Sequence, residues 1–129
     1  MSDQETIELL KWMMDSINLV QERFAEINAS DDFVQSSGGI LLLDAIAMRL
    51  QVIGETVKQI QKSTPLFFEQ YTAVEWDKIA RFRDLVSHHY ENLDHEIVYD
   101  ICKSHIPRLR KILRVIIEEY SFFIVSILS

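Results

Sequence analysis

The spacing of apolar residues constrains this chain more than any other feature of its sequence. Apolar side chains recur at steps of three and four residues along nearly the whole length, and only three glycines and two prolines interrupt them. This period is typical of amphipathic helices, in which residues three and four apart share a face. The pattern therefore predicts an all-α fold, a four- or five-helix up-and-down bundle.

Length and composition predict one cytoplasmic domain, residues 1–129. A single cysteine, Cys102, excludes an intrachain disulfide framework and cysteine-based zinc sites, as is typical of a reducing cytosol. The start of the chain has no basic region of a signal peptide. The apolar tail Tyr120 to Leu128 is shorter than the ~20 residues that cross a bilayer. We therefore expect no membrane contact, and we expect the tail to be buried in a core or a subunit interface.

Local signals predict where the first two helices begin and end. Ser2, with Glu5, can form a capping box for a first helix whose apolar stripe runs from Leu10 to Ile27. A polar break at residues 36–39 precedes the second helix, which Pro65 ends. The two stripes can pack antiparallel, either within one protomer or across a dimer. The 48% apolar content and the tail favour a dimer.

The second half of the chain predicts shorter helices. Thr72, paired with Glu75, can cap a third helix from about Val74 to Ser87, and Asp94 can cap a fourth. Pro107 has no N–H to donate within a helix. It therefore either kinks the fourth helix or opens a fifth.

The net charge of −7 makes attraction of the whole molecule to nucleic acid unfavourable. Any contact with an RNA backbone must come from a local group of cations. One such group consists of Arg108, Arg110, Lys111 and Arg114. A solvated helix face is the alternative interpretation of this group.

Residues 81–90 concentrate the groups that suit RNA cleavage: two arginines, two histidines and a tyrosine. A neutral imidazole can take the proton of a ribose 2′-hydroxyl, while a guanidinium binds the phosphate oxygens as negative charge builds. This chemistry needs no metal or other cofactor, and it cannot cut DNA. His95 and His105 lack the spacing of a metal site.

Helix geometry constrains how these groups can meet. On a continuous helix Arg83 and Tyr90 share a face, but His88 points roughly 140° away from Arg83. Either the helix ends at about Ser87 and the chain turns, or residues of two protomers combine. Asp84 lies four residues before His88 and can orient its imidazole or pair with a basic neighbour. His89 continues the apolar face and is interpreted as a packing residue.

The spacing Arg83-x4-His88-x-Tyr90 resembles the R-x4-H-x-Y signature of HepT-like proteins, a branch of the HEPN superfamily of small helical RNases. The stretch Ile53-Gly54-Glu55-x-x-Lys58 is similar to a Gly-Glu element that precedes the signature in that family. The resemblance covers essentially the whole chain. Asp84 stands where many members have another polar residue, often asparagine.

The resemblance implies a metal-independent RNA endonuclease that is the toxin of a toxin–antitoxin pair. Arg83 and His88 would be its catalytic pair, with Asp84 and Glu55 supporting them. It also implies a homodimer whose two motifs face each other in a cleft. Its antitoxin would be a nucleotidyltransferase of the MntA type that attaches AMP to Tyr90.

A binding module is the alternative hypothesis. In it the bundle is a non-catalytic partner or substrate-binding subunit of a minimal nucleotidyltransferase. The acidic net charge favours it.

Overall fold

The computed structural model describes residues 2–88 and 92–128, and the prediction of an all-α bundle is confirmed. Its helices are α1 Asp3–Phe24, α2 Ser37–Ser63, α3 Trp76–Ala80, α4 Phe82–Val86, α5 His95–Asp100 and α6 Ile106–Leu128. A 3₁₀ turn, Ser30–Phe33, precedes α2, and a π-helical turn, Ile101–His105, joins α5 to α6. Two short strands, β1 Ser87–His88 and β2 Asn92–Leu93, pair between α4 and α5.

Helices α1 and α2 pack on each other more extensively than any other two elements, so the predicted seam lies within one protomer. The hydroxyl of Ser2 accepts a hydrogen bond from the Glu5 N–H at 3.1 Å and caps α1 as predicted. The hydroxyl of Ser36 accepts one from the Gly39 N–H at 2.9 Å and caps α2. Both helices direct their apolar stripes into one core with α6. The completely buried residues of the three helices are Leu10, Met13, Ile17, Val20, Ile46, Leu50, Ile53, Val57, Ile60, Ile106, Leu109, Leu113 and Ile116.

Helix α6 runs antiparallel to α1. Arg110 Nε donates to Asn18 Oδ1 at 3.0 Å, and the Tyr120 hydroxyl donates to Asp3 Oδ1 at 2.6 Å. Burial, together with the bond to Asp3, raises the pKa of Tyr120 to about 12, so the hydroxyl remains a donor at neutral pH. The two bonds fix the register of α6 along α1.

Pro107 lies in the first turn of α6, which agrees with the prediction that it opens a new helix. The π-helical turn comes directly before it, and the Ile106 N–H donates to the Ile101 carbonyl, five residues back. The chain therefore stays helical through the proline.

The expectations for the third helix were wrong in two respects. The helix is divided into α3 and α4 at Arg81, whose φ of −98° and ψ of 14° are not α-helical. Thr72 is not its cap, because the N-cap residue is Glu75, which makes no side-chain capping bond. Tertiary contacts set the start of α3 instead: Trp76 Nε1 donates to the Tyr71 carbonyl at 2.8 Å, and its ring stacks on Phe68 at 4.0 Å.

Burial of the apolar tail in the core of this chain is also contradicted. Phe122, Phe123, Ile127 and Leu128 are exposed. Tyr120 lies beside Asp3, the first residue of α1, so most side chains of α6 after it extend past the start of α1 and are exposed, whereas Ile124 still packs against the core. Burial in a subunit interface stays a prediction. Within residues 2–88 and 92–128, no helix is both long and apolar enough to span a membrane.

Gly54 allows α2 to approach the break between α3 and α4. A Cβ built on Gly54 would lie 2.8 Å from the Ile79 carbonyl oxygen and 3.4 Å from that of Ala80. A methyl group cannot fit at the first distance unless the backbone shifts. Gly54 therefore serves the close packing of α2 against this break.

We expect Gly54→Ala to lower the free energy of unfolding, measured by urea denaturation. Overpacking typically costs about 1–3 kcal/mol, and the atom encountered is a backbone oxygen that cannot rotate away. The gain in helix propensity is only about 1 kcal/mol. Gly38→Ala in the same helix is the control, because its Cβ would meet only the Ser36 hydroxyl at 3.9 Å. A Gly54→Ala protein as stable as wild type would contradict this packing.

Candidate active site

Helix α4 brings the first half of the motif to the surface. Phe82 and Val86, four residues apart, are completely buried and attach the helix to the core. Arg83 and Asp84 are consequently exposed on the opposite side. Because α4 has only five residues, these two anchors hold most of its length.

The chain turns directly after α4, which agrees with one of the two alternatives that the geometry of the motif left open. Helix α4 ends at Val86, and Ser87 is extended, with φ −91° and ψ 135°. Strands β1 and β2 pair antiparallel with Ser87 opposite Leu93 and His88 opposite Asn92. The Asp94 N–H donates to the Val86 carbonyl at 2.9 Å, which closes the pairing. The backbone of His88 is therefore held at the end of α4 and does not continue its helix.

The start of α5 supports this turn from the other side. Asp94 Oδ1 accepts from the Ile97 N–H at 3.1 Å, so the predicted cap is confirmed. The same residue thus closes the strand pair through its backbone and opens α5 through its side chain. The strand pair could not be predicted from the sequence, because two residues are too few to show a strand period.

Several predicted site groups lie outside the described residues: the side chain of His88, and all of His89 and Tyr90. The catalytic role of His88, its orientation by Asp84, the packing role of His89 and the modification of Tyr90 therefore stay predictions.

Arg83 makes no ion pair with any described residue. The ion pairs within residues 2–88 and 92–128 join Lys58 to Glu55, His95 to Asp31 and His105 to Asp100. Its neighbour Arg81 is also exposed, but its Nε donates to the Asp77 carbonyl at 3.4 Å. The guanidinium of Arg83 is therefore accessible to a ligand. Its planar fork of N–H donors matches the oxygens of a phosphate group.

Glu55 has a local partner. Its carboxylate lies 3.4 Å from Lys58 Nζ, one helical turn away on α2, and both side chains are about half exposed. A surface pair of this kind typically contributes little to stability. No described contact joins Glu55 to α4, so its supporting role in the motif stays a prediction.

The predicted RNA-contacting cations lie on the first half of α6. Arg108, Lys111 and Arg114 are exposed, whereas Arg110 is half-buried and bound to Asn18. Lys103 on the π-helical turn belongs to the same stretch and was missed in the sequence analysis. The signal for it is that residues 101–117 contain five lysines and arginines and no aspartate or glutamate.

The sequence profile of the family described as ribonuclease HepT-like matches residues 13–116. A Methanocaldococcus jannaschii protein named "gamma-glutamylcyclotransferase and putative RNase" is 30% identical over 110 residues, which cover 85% of this chain and 46% of that protein. The chain thus spans about half the length of this relative. No solved structure matches.

Two other relatives carry the name "putative RNase". One, from Caldanaerobacter subterraneus, is 32% identical over 89 residues, which cover 69% of this chain and 74% of the relative. The other, from M. jannaschii, is 29% identical over 112 residues, which cover 87% of this chain and 84% of the relative. The family profile begins within α1 and ends within α6, so its match includes residues 83–90.

Proposed function

Because the chain belongs to the ribonuclease HepT-like family, we propose that it is a metal-independent RNA endonuclease whose catalytic pair is Arg83 and His88. The end of α4 at Val86 is the observation that carries this proposal. It leaves Arg83 exposed on the helix and starts an extended segment at Ser87, to which the His88 backbone belongs. The chain thus carries a guanidinium before this turn and an imidazole after it, the two kinds of group that suit cleavage of RNA by its own 2′-hydroxyl.

In the proposed reaction, the neutral imidazole of His88 takes the proton of the 2′-hydroxyl. The 2′ oxygen attacks the adjacent phosphorus, and the bond from phosphorus to the 5′ oxygen breaks. The leaving oxygen takes a proton from the imidazolium or from water, and a 2′,3′-cyclic phosphate remains. Arg83 donates hydrogen bonds to the non-bridging oxygens, where negative charge is greatest in the transition state.

Binding of the RNA needs more than one exposed arginine in a protein of net charge −7. We assign backbone contacts to Arg108, Arg110, Lys111 and Arg114, as the sequence predicted. Three of them are exposed, and none forms an ion pair with a described residue. Phosphate contacts of this kind contribute affinity without sequence specificity.

The biological role that we propose is that of a cytoplasmic toxin, active as a homodimer whose two motifs share a cleft. An antitoxin of the MntA nucleotidyltransferase type would attach AMP to Tyr90. A phosphate group beside Arg83 would compete with RNA for the guanidinium, and the nucleoside would occupy the cleft. The support for this role is the sequence signature and its resemblance to HepT-like proteins.

We expect Arg83→Ala to reduce single-turnover cleavage of RNA by about 100-fold or more, because removal of one oxyanion donor typically costs about 10²–10³ in rate. His88→Ala should have an effect of similar size. The exposed position of Arg83 predicts that the free energy of unfolding changes by no more than about 0.5 kcal/mol. The loss would therefore be one of chemistry and not of folding.

Arg81→Ala is the matched control, since this exposed arginine lies two residues away and should be dispensable. EDTA should leave the wild-type rate unchanged. If Arg83→Ala cut RNA as fast as wild type, or if EDTA abolished cutting, the proposed mechanism would be wrong. An inactive wild-type protein that binds a nucleotidyltransferase tightly would favour the binding-module alternative.

Co-expression with an adjacent nucleotidyltransferase gene should raise the intact mass of the protein by one or more AMP units. Tyr90→Phe should remove the increment, because the acceptor hydroxyl is gone. Tyr99→Phe is the control: the Tyr99 hydroxyl donates to the Asn28 carbonyl at 3.1 Å, so it is already engaged. An unmodified wild-type protein, or an increment that survives Tyr90→Phe, would contradict this antitoxin mechanism.

A further inference from the structure

The end of α6 presents an apolar surface that the proposed function does not use. Phe122, Phe123, Ile127 and Leu128 are 75%, 50%, 60% and 81% exposed. Phe123 and Ile127, four residues apart, share one side of the helix, which we call the tail face. They lie beyond Tyr120, which bonds to the first residue of α1. Large exposed apolar side chains grouped in this way typically mark an interaction site.

An aromatic niche adjoins the tail face. A cavity of about 350 Å³ is lined by Phe67, Tyr71, Tyr120, Phe123 and the carboxylate of Glu119, together with Gln70. The Phe67 and Tyr120 rings meet edge to face with centroids 5.4 Å apart, and the Tyr120 and Phe123 rings lie 6.3 Å apart at 22°. The niche therefore combines several aromatic rings with one carboxylate.

A hydrogen bond orients that carboxylate. The Tyr71 hydroxyl donates to Glu119 Oε2 at 2.9 Å. Burial and the neighbouring Glu119 raise the pKa of Tyr71 to about 12, so the hydroxyl stays protonated at neutral pH. Aromatic rings beside a carboxylate form a favourable environment for an ammonium or guanidinium group, through cation–π attraction and charge pairing.

The charges around the tail face select among possible occupants. Residues 115–128 contain Glu118 and Glu119 but no lysine, arginine or histidine, and residues 2–10 contain three acids and no base. The nearest cation along α1 is Lys11, which lines the groove between α1 and α6 together with Glu118. RNA and anionic lipid would be repelled by this end of the bundle. A second copy that paired here about a twofold axis would place its own acidic residues against the same acidic residues of the first copy, and the two sets would repel each other.

We propose that the tail face and the aromatic niche dock a basic, amphipathic segment of another protein. Apolar side chains of the segment cover Phe123 and Ile127, and one of its lysines or arginines enters the niche and pairs with Glu119. The cations of residues 101–117 lie on the π-helical turn and the first half of α6, so the proposed RNA contact and this partner use different parts of the chain. Docking of this segment does not require that the protein cleaves RNA.

The test uses a synthetic, fluorescein-labelled helical peptide with leucine on one face and lysine on the other, titrated with the full chain and followed by anisotropy. We expect saturable binding, weakened at least tenfold by Phe123→Ser and by Glu119→Gln. The second change removes only the charge, since the amide oxygen still accepts from Tyr71. The same peptide with glutamate in place of lysine should not bind.

Matched controls come from α2. Met48 is 58% exposed and Asp44 is exposed, and neither belongs to the tail face. Met48→Ser and Asp44→Asn should leave the affinity unchanged, and equal weakening by these variants would overturn the proposal as non-specific attraction. Two other results would also overturn it. One is that the wild type sediments as a dimer and Phe123→Ser as a monomer. The other is that the wild type binds phosphatidylglycerol vesicles and Phe123→Ser does not.

Discussion

The close approach of α2 to the α3–α4 backbone is the constraint on which the candidate site depends. Gly54 leaves no side chain between α2 and the carbonyl oxygens of Ile79 and Ala80. The chain breaks its helix next to this contact, at Arg81, and α4 then buries Phe82 and Val86 in the same core. The exposed position of Arg83 follows from that burial. A packing feature of one helix thus sets the exposed position of the proposed catalytic arginine on another.

Much of this arrangement could be predicted from sequence, because it depends on local periodicity and capping. The stripes of α1 and α2, the caps Ser2 and Asp94, and the turn after Val86 all follow from residues close together in the chain. The break at Arg81 lies where Gly54 of α2, more than 20 residues earlier in the chain, approaches the backbone of α3. The exposure of the tail depends on where α1 begins relative to Tyr120. Neither relation is contained in a local pattern.

The separation of charge along α6 gives a second level of organisation. A stretch with five lysines and arginines and no acid is followed by one with two glutamates and no base. A polyanion is attracted to the first and repelled by the second. The acidic net charge, which alone would disfavour RNA as a ligand, is therefore compatible with a local RNA contact. The motif and the first half of α6 form one proposed functional unit, and the tail face forms another.

In the proposed mechanism, the RNA supplies its own nucleophile to a site built from Arg83 and His88. The most direct test is a comparison of two RNA oligonucleotides that differ by a single 2′-deoxy substitution at the cleaved nucleotide. We predict that the unmodified RNA is cut and leaves a 2′,3′-cyclic phosphate, and that the substituted RNA is not cut at that position. Cleavage of both oligonucleotides at equal rates, or products with a 5′-phosphate and a 3′-hydroxyl, would show that this mechanism is wrong.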